Sequence, residues 1–223
     1  MSVTLANSST SLNWRDRPAT DFYPTPAPVT QALIDFLMLP KKLTIWEPAC
    51  GNGHMVKVLR ENEYVVRDSD IQTGTDFLEQ TACAEDFIIT NPPFGYAEAF
   101  IRKSAQLNPC CGYALLLKSQ YWHSAKRLKL FRELQPQFVL PLTWRPDFLF
   151  GAQSGSPTME VLWTVWINKE WGECYEGECI YHPLEKPNNG KKDAYSHVTP
   201  STINIVDHSV VDLFSGETPI EIS

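Results

Sequence analysis

The run Asp86-Phe-Ile-Ile-Thr-Asn91-Pro92-Pro93-Phe94-Gly95 constrains this chain more than any other stretch. A short apolar segment broken off by two prolines and a glycine reads as a buried strand that stops abruptly. Proline fixes its own φ near about −65° and pushes the residue before it into extended geometry, so Asn91, Pro92 and Pro93 form a stiff turn. With both proline N–H groups missing, the turn presents mainly acceptors: carbonyl oxygens and the side-chain oxygen of Asn91. Phe94 adds a flat apolar face beside them. Rigid acceptors next to a ring suit a planar ligand that carries an –NH2 group. A tight strand-to-helix turn with a buried aromatic is the plainer alternative.

A second local unit sits upstream. Residues 43–46 form a short strand candidate that runs into Glu47-Pro48-Ala49-Cys50-Gly51-Asn52-Gly53, followed by Met55, Val58 and Leu59 at helical spacing. Strand, glycine turn and helix make the first unit of a nucleotide-binding α/β sheet. Gly51 and Gly53 permit positive φ and close approach of a ligand to a helix N-terminus. The next strand, 64–70, ends in Asp70, 17 residues beyond Gly53, where a ribose would be received; Asp68 competes from the same strand face. Asp76 and Phe77 follow, as an acceptor and a cover for an adenine ring or, for Asp76, as a helix cap.

The remaining elements repeat the alternation. Tyr23-Pro24-Thr25-Pro26 is a stiff extended entry to a helix at 29–39. A helix at 96–107, a strand at 112–117, a helix at 121–134 and strands at 138–142 and 159–167 complete an open α/β sheet whose last strand is antiparallel. At 223 residues and 43% hydrophobic composition the chain supports one sizeable core. The expected division is a flexible arm at 1–20, a domain at 21–168 and a turn-rich, partly irregular extension at 169–223. Trp144 and Phe148, in the connector 143–158, are either ligand-facing walls or core aromatics.

No apolar run reaches the roughly 18 residues of a membrane span and the start lacks signal-peptide character, so a cytoplasmic protein is expected. Six cysteines, with Cys110 and Cys111 adjacent, do not resemble a secreted disulfide framework. Cys174 and Cys179, near His182 and His197, lack the second cysteine pair of a strong metal signature, and no metal is expected. A net charge of −7 argues against a protein that coats nucleic acid. Residues 97–145 nevertheless hold eight basic side chains, including Lys118, Lys126, Arg127 and Arg145, against two acidic ones. That excess of six is either a phosphate-facing surface or a solvated helix face.

Over about residues 21–168 the chain resembles the S-adenosylmethionine-dependent amino-methyltransferases, specifically the N6-adenine DNA methyltransferases whose cofactor segment precedes the catalytic one. The resemblance rests on Tyr23-Pro-Thr25-Pro26, Glu47-Pro-Ala-Cys-Gly-Asn-Gly53 and Asn91-Pro-Pro-Phe94 in that order. It implies a Rossmann-like class I fold: an open, mostly parallel seven-stranded sheet with an antiparallel last strand and helices on both faces. It further implies that Tyr23, Thr25, Pro26, Glu47, Ala49, Gly51, Gly53, Asp70, Ile71, Asp76, Phe77 and Asn91 bind S-adenosylmethionine. Asn91, Pro92, Pro93 and Phe94 would carry catalysis.

Phe94, Trp144, Lys118, Lys126, Arg127 and Arg145 would face DNA, with target recognition within 119–157. A flipped adenine would place its amine between the Asn91 side-chain oxygen and the Pro92 carbonyl, without a metal. Rival readings are methyl transfer to a protein glutamine amide or an rRNA guanine, and a non-catalytic binding module. A stand-alone modification enzyme, as in phage or solitary bacterial examples, is the simplest expectation; the oligomeric state is not indicated.

Overall fold

In a computed structural model, residues 23–148, 159–168 and 179–188 are described. The arm at 1–20, Cys174, His197 and most of the 169–223 extension lie outside them. One seven-stranded mixed sheet organises the fold, in the order β2-β1-β3-β4-β6-β5-β7. The strands are β1 (Thr44–Glu47), β2 (Val65–Asp68), β3 (Phe87–Thr90), β4 (Gly112–Lys118), β5 (Phe138–Pro141), β6 (Val161–Ile167) and β7 (Ile180–Tyr181). Strands β2, β1, β3 and β4 run parallel, and β6 is antiparallel to both β4 and β5. The antiparallel strand is therefore interior. The far edge is β7, parallel to β5, so the seventh strand comes from beyond residue 168.

Alternation along the central strands builds two cores. Ile45, Ile89, Leu116 and Trp163 face helices α1 (Ala27–Leu37) and α2 (His54–Glu61), whereas Trp46, Ile88 and Leu115 face α3 (Ala97–Leu107). Period-two side-chain direction sends neighbours to opposite faces, and a sheet covered on both sides must be apolar on both. β3 and most of β4 are buried throughout for this reason. The indole N–H groups of Trp46, Trp163 and Trp166 donate to Ser69 Oγ, the Val29 carbonyl and the Leu134 carbonyl, so these three rings are buried without an unmet donor.

The single helix expected at 121–134 is three pieces: 3₁₀ turns Ser119–Trp122 and Ala125–Arg127, then α4 (Leu128–Glu133). Tyr121 meets the Phe131 ring edge-on at 6.0 Å while Trp122 stacks on it at 4.0 Å. Ser124, extended at φ −131° and ψ 120°, breaks the helix after this pair and lets the 3₁₀ turn fold back so that both rings meet Phe131 of α4. Helix α1 ends at Leu37, with Met38 left-handed at φ 46°, ahead of the stop expected at Pro40. Among the described residues no helix is long and apolar enough to cross a membrane.

Candidate active site

Parallel β1, β3 and β4 bring the residues after their carboxyl ends to one rim of the sheet, where α/β folds place ligands. There Tyr23, Thr25, Glu47, Ala49, Gly51, Asn91, Pro92 and Phe94 line one cleft that opens to solvent. Pro24, Cys50, His54 and Met55 complete its wall.

Glu47 ends β1 and is buried, with 1% of its surface exposed. Its Oε1 accepts from the Thr90 hydroxyl at 2.6 Å and from the Ala49 N–H at 3.0 Å. Burial pushes its carboxyl up to about 8, with nearby Asp70 adding to the rise against the pull of these two donors. Thr90 was not singled out from the sequence; a polar residue inside the apolar strand 87–90 is the signal that marks it. Beyond Glu47 the turn is tied to the end of β2: Cys50 N–H donates to the Ser69 carbonyl and Gly51 N–H to Asp70 Oδ2, both near 3 Å. Gly53 starts α2 at φ 77°, where a side chain would be strained, and a Cβ there would meet nothing within 4 Å. Burial and the surrounding carboxylates raise the Cys50 thiol to about 11, which leaves it protonated and a poor nucleophile at neutral pH.

The two acidic candidates for a ribose differ in engagement. Asp70 is buried and uses Oδ2 on Gly51 and Oδ1 on the Gln72 N–H, so it braces the glycine turn and caps the short 3₁₀ turn that contains Ile71. Asp68 pairs with Arg60 at the surface beside the outer side of the same turn. Asp76 caps the turn Phe77–Glu79 by accepting from Leu78 N–H. Phe77 has no exposed surface; its ring packs 5.2 Å from Trp46 and 4.8 Å from Phe100. The ring thus belongs to the core and offers no face to an adenine, a correction that follows from the need to fill the α3 side of the sheet.

At the end of β3 the Asn91 amide is oriented by the upstream segment. Its Nδ2 donates to Thr25 Oγ1 at 3.0 Å and to the Tyr23 carbonyl at 3.3 Å. A carbonyl oxygen only accepts, so the –NH2 must face Tyr23 and Oδ1 must face the other way. Asn91 Oδ1 is buried and has no hydrogen-bond partner among the described residues. A buried acceptor without a donor costs about 1–3 kcal/mol. Pro93 leads into the turn Phe94–Tyr96, closed by Tyr96 N–H on the Pro93 carbonyl.

The Phe94 ring has company. Tyr23 tilts 37° to it at 5.7 Å, and the Lys118 ammonium lies 4.0 Å from the Phe94 centroid and 6.0 Å from that of Tyr23. A cation on an aromatic face is attracted by the ring quadrupole. Phe148 is a core residue that meets Tyr23 edge-on, and Trp144 packs half-buried against the same core. Arg145 is paired with Glu160, and Arg127 lies 3.7 Å over the Tyr121 ring. Arg102 and Lys129 both pair with Glu133, so part of the basic excess at 97–145 is neutralised locally. Lys126 sits with Arg127 at the end of the 3₁₀ turn Ala125–Arg127.

The fold is that of the class I S-adenosylmethionine-dependent methyltransferases. A proposed member of that class from Listeria monocytogenes superposes with a TM-score of 0.51 at 13% identity, covering 77% of this chain and 68% of that one. A modification subunit of a proposed type I restriction enzyme from Vibrio vulnificus gives 0.49 at 12% identity over 79% of this chain and 49% of its own. A type I restriction-modification methyltransferase subunit from Streptococcus thermophilus gives 0.48 at 13% identity over 66% of this chain and 45% of its own. The chain spans about half the length of those two subunits. No protein-family model matches the sequence. No curated protein matches it either.

Proposed function

We propose that this chain transfers a methyl group from S-adenosylmethionine to the exocyclic N6 amine of an adenine in DNA. The observation that carries the reading is Asn91: its –NH2 is held by Tyr23 and Thr25, and its buried Oδ1 has no donor among the described residues. An acceptor held rigid and unmet, at the rim where the class binds its ligands, suits an incoming N–H.

The residues of the cleft fit the cofactor. Glu47 offers a carboxyl to its cationic end, Gly51 gives backbone access, and Tyr23, Thr25 and Ala49 lie on the same wall, while Gly53 lies on the outer side of the turn. S-adenosylmethionine supplies an electrophilic methyl group on a positively charged sulfur. Asp70 serves this reading by bracing the glycine turn, with a ribose within its chemical scope through the remaining lone pairs of its carboxylate.

An adenine amine is a weak nucleophile because its lone pair is delocalised into the ring. Two acceptors, Asn91 Oδ1 and the Pro92 carbonyl, would draw its N–H bonds and turn that lone pair outward. Preorganised acceptors that act on charge developing in the transition state contribute most of such rate gains. As the N–C bond forms and the C–S bond breaks, the nitrogen gives up one proton to solvent. The base reaches this corner only when unstacked from a duplex, and the Phe94 face receives it once the Lys118 ammonium swings aside. Lys118, Lys126, Arg127 and Arg145 then serve the phosphate backbone.

The net charge of −7 favours a second reading, methyl transfer to a protein amide. Incubation with methyl-labelled cofactor and DNA, RNA or protein separates the two, and mass analysis of digested nucleosides names the atom. N6-methyladenine is the expected product; label confined to protein or RNA overturns the DNA assignment.

A further inference from the structure

Behind the cleft, at the amino ends of the same strands, three potential metal ligands converge. Asp86 immediately precedes β3, and Cys110 and Cys111 immediately precede β4. Cys110 Sγ lies 3.3 Å from Asp86 Oδ1 and 3.5 Å from Cys111 Sγ, and one ligand atom from each of the three residues falls within 4.8 Å of the others. We propose that Asp86, Cys110 and Cys111 form a binding site for a thiophilic divalent cation, Zn²⁺ in the first instance, that pins the starts of β1, β3 and β4.

The spacing supports the assignment. With Zn–S near 2.3 Å and Zn–O near 2.1 Å, a tetrahedral site sets its sulfurs about 3.8 Å apart and sulfur and oxygen about 3.6 Å apart. The distances from Cys110 to its two partners fall about 0.3 Å short of those edges, a gap that small χ rotations close. The carboxylate is already oriented: Asp86 Oδ2 accepts from the N–H and the hydroxyl of Thr44, each at 2.7 Å, which leaves Oδ1 toward the thiols. Hydrogen bonds of this kind fix a ligand before the ion arrives. Backbone bonds from Cys111 N–H to the Asp86 carbonyl and from Asp86 N–H to the Thr44 carbonyl hold the three strand starts in one frame.

The donor set selects the ion. Two sulfurs disfavour Ca²⁺ and Mg²⁺, which take oxygen, and the carboxylate disfavours Cu(I), which prefers soft ligands throughout. On binding, each thiol loses its proton to solvent and becomes a thiolate, so the three ligands carry −3 against the ion's +2. Cys111 is buried and Cys110 exposed, which gives the ion a path in and leaves the outer position to water. Asp86 lies five residues before Asn91 along one strand, roughly 16 Å away at about 3.3 Å per residue, so the site is separate from the cleft.

The test uses the full chain, kept reduced with a phosphine and stripped of metal, titrated with Zn²⁺ against a chromophoric chelator and, separately, with Co²⁺. One Zn²⁺ per chain, a rise in Tm and a thiolate-to-cobalt charge-transfer band are the expected results. Cys110→Ser, at an exposed position that does not endanger folding, lowers Zn²⁺ affinity by about 100-fold or more, since losing even a hydrogen-bond partner of a ligand costs about 10- to 100-fold. A Cys174→Ser/Cys179→Ser variant keeps wild-type affinity. Absence of the charge-transfer band, equal affinity in Cys110→Ser and wild type, or loss of binding in the Cys174/Cys179 variant overturns the proposal.

Discussion

Replacing Glu47 by Gln tests the electrostatics of the cleft with the least disturbance of its geometry. Glutamine keeps an oxygen to accept from Thr90 and Ala49, the two bonds that hold the side chain, but it cannot ionise. The wild-type carboxyl titrates near 8 in the fold against an ordinary value of 4.5, chiefly because burial disfavours its charged form. The folded state therefore binds the proton more tightly than the unfolded state does. This contribution to stability is fully present below about pH 4.5 and is lost as the pH rises toward about 8. Each pH unit in that window removes roughly 1.4 kcal/mol, so the loss is roughly 3 kcal/mol by neutral pH and roughly 5 kcal/mol above about pH 8.

Urea unfolding of both proteins across this range reads the difference directly. The Gln variant should match the wild type near pH 4.5 and exceed it by roughly 3 kcal/mol at neutral pH, with the gap widening until about pH 8. A gap that does not change with pH refutes the reasoning. The same titration reaches function, because a cationic ligand in the cleft favours the ionised carboxyl. Cofactor affinity of the wild type should climb with pH by up to about tenfold per unit below pH 8 and stay flat in the variant, as proton linkage requires.

Asn91→Ala removes one preorganised acceptor and should lower single-turnover methyl transfer by about 100-fold or more; a near-normal rate would remove Asn91 from the chemistry. Lys118→Met keeps the stem over Phe94 without its charge, and should raise the KM for DNA several-fold and flatten its salt dependence while kcat changes by less than about threefold. Equal falls in kcat and kcat/KM would instead assign Lys118 to the transition state. Gly112→Ala should cost on the order of 3 kcal/mol or more in urea unfolding: at φ 137° its Cβ would fall 2.2 Å from the Trp166 carbonyl oxygen, across the β4 and β6 pair. Phe77→Ala should cost about 3–5 kcal/mol in the same assay, with cofactor affinity near wild type, as a core ring requires.

What could be read from the chain was local and periodic. Apolar runs and glycine turns located β1, β3, β4 and the Gly51–Gly53 turn, and the alternation of strands and helices announced an α/β sheet. Phe77 reads from the sequence as a cofactor neighbour because it follows Asp76, yet a lone aromatic carries no periodic signal that separates a pocket wall from a core ring. The helix expected at 121–134 is interrupted at Ser124, after which α4 brings Phe131 under the Tyr121 and Trp122 rings, an arrangement set by packing. Two residues at 180–181 are too few to show as a strand, and become one only because β5 leaves an edge for them.

The stiffness of the turn at Asn91 needed no tertiary contact, because each proline fixes its own φ through its ring and sterically holds the residue before it extended. The direction of the Asn91 amide was another matter. It depends on Thr25 and Tyr23, 66 and 68 residues earlier, which β3 meets only after the sheet has formed. The same holds for Lys118 over Phe94 and for Thr90 on Glu47, since parallel strands bring together positions that no short-range pattern connects. Covalent geometry made the turn rigid, and the assembled sheet decided which oxygen it holds out.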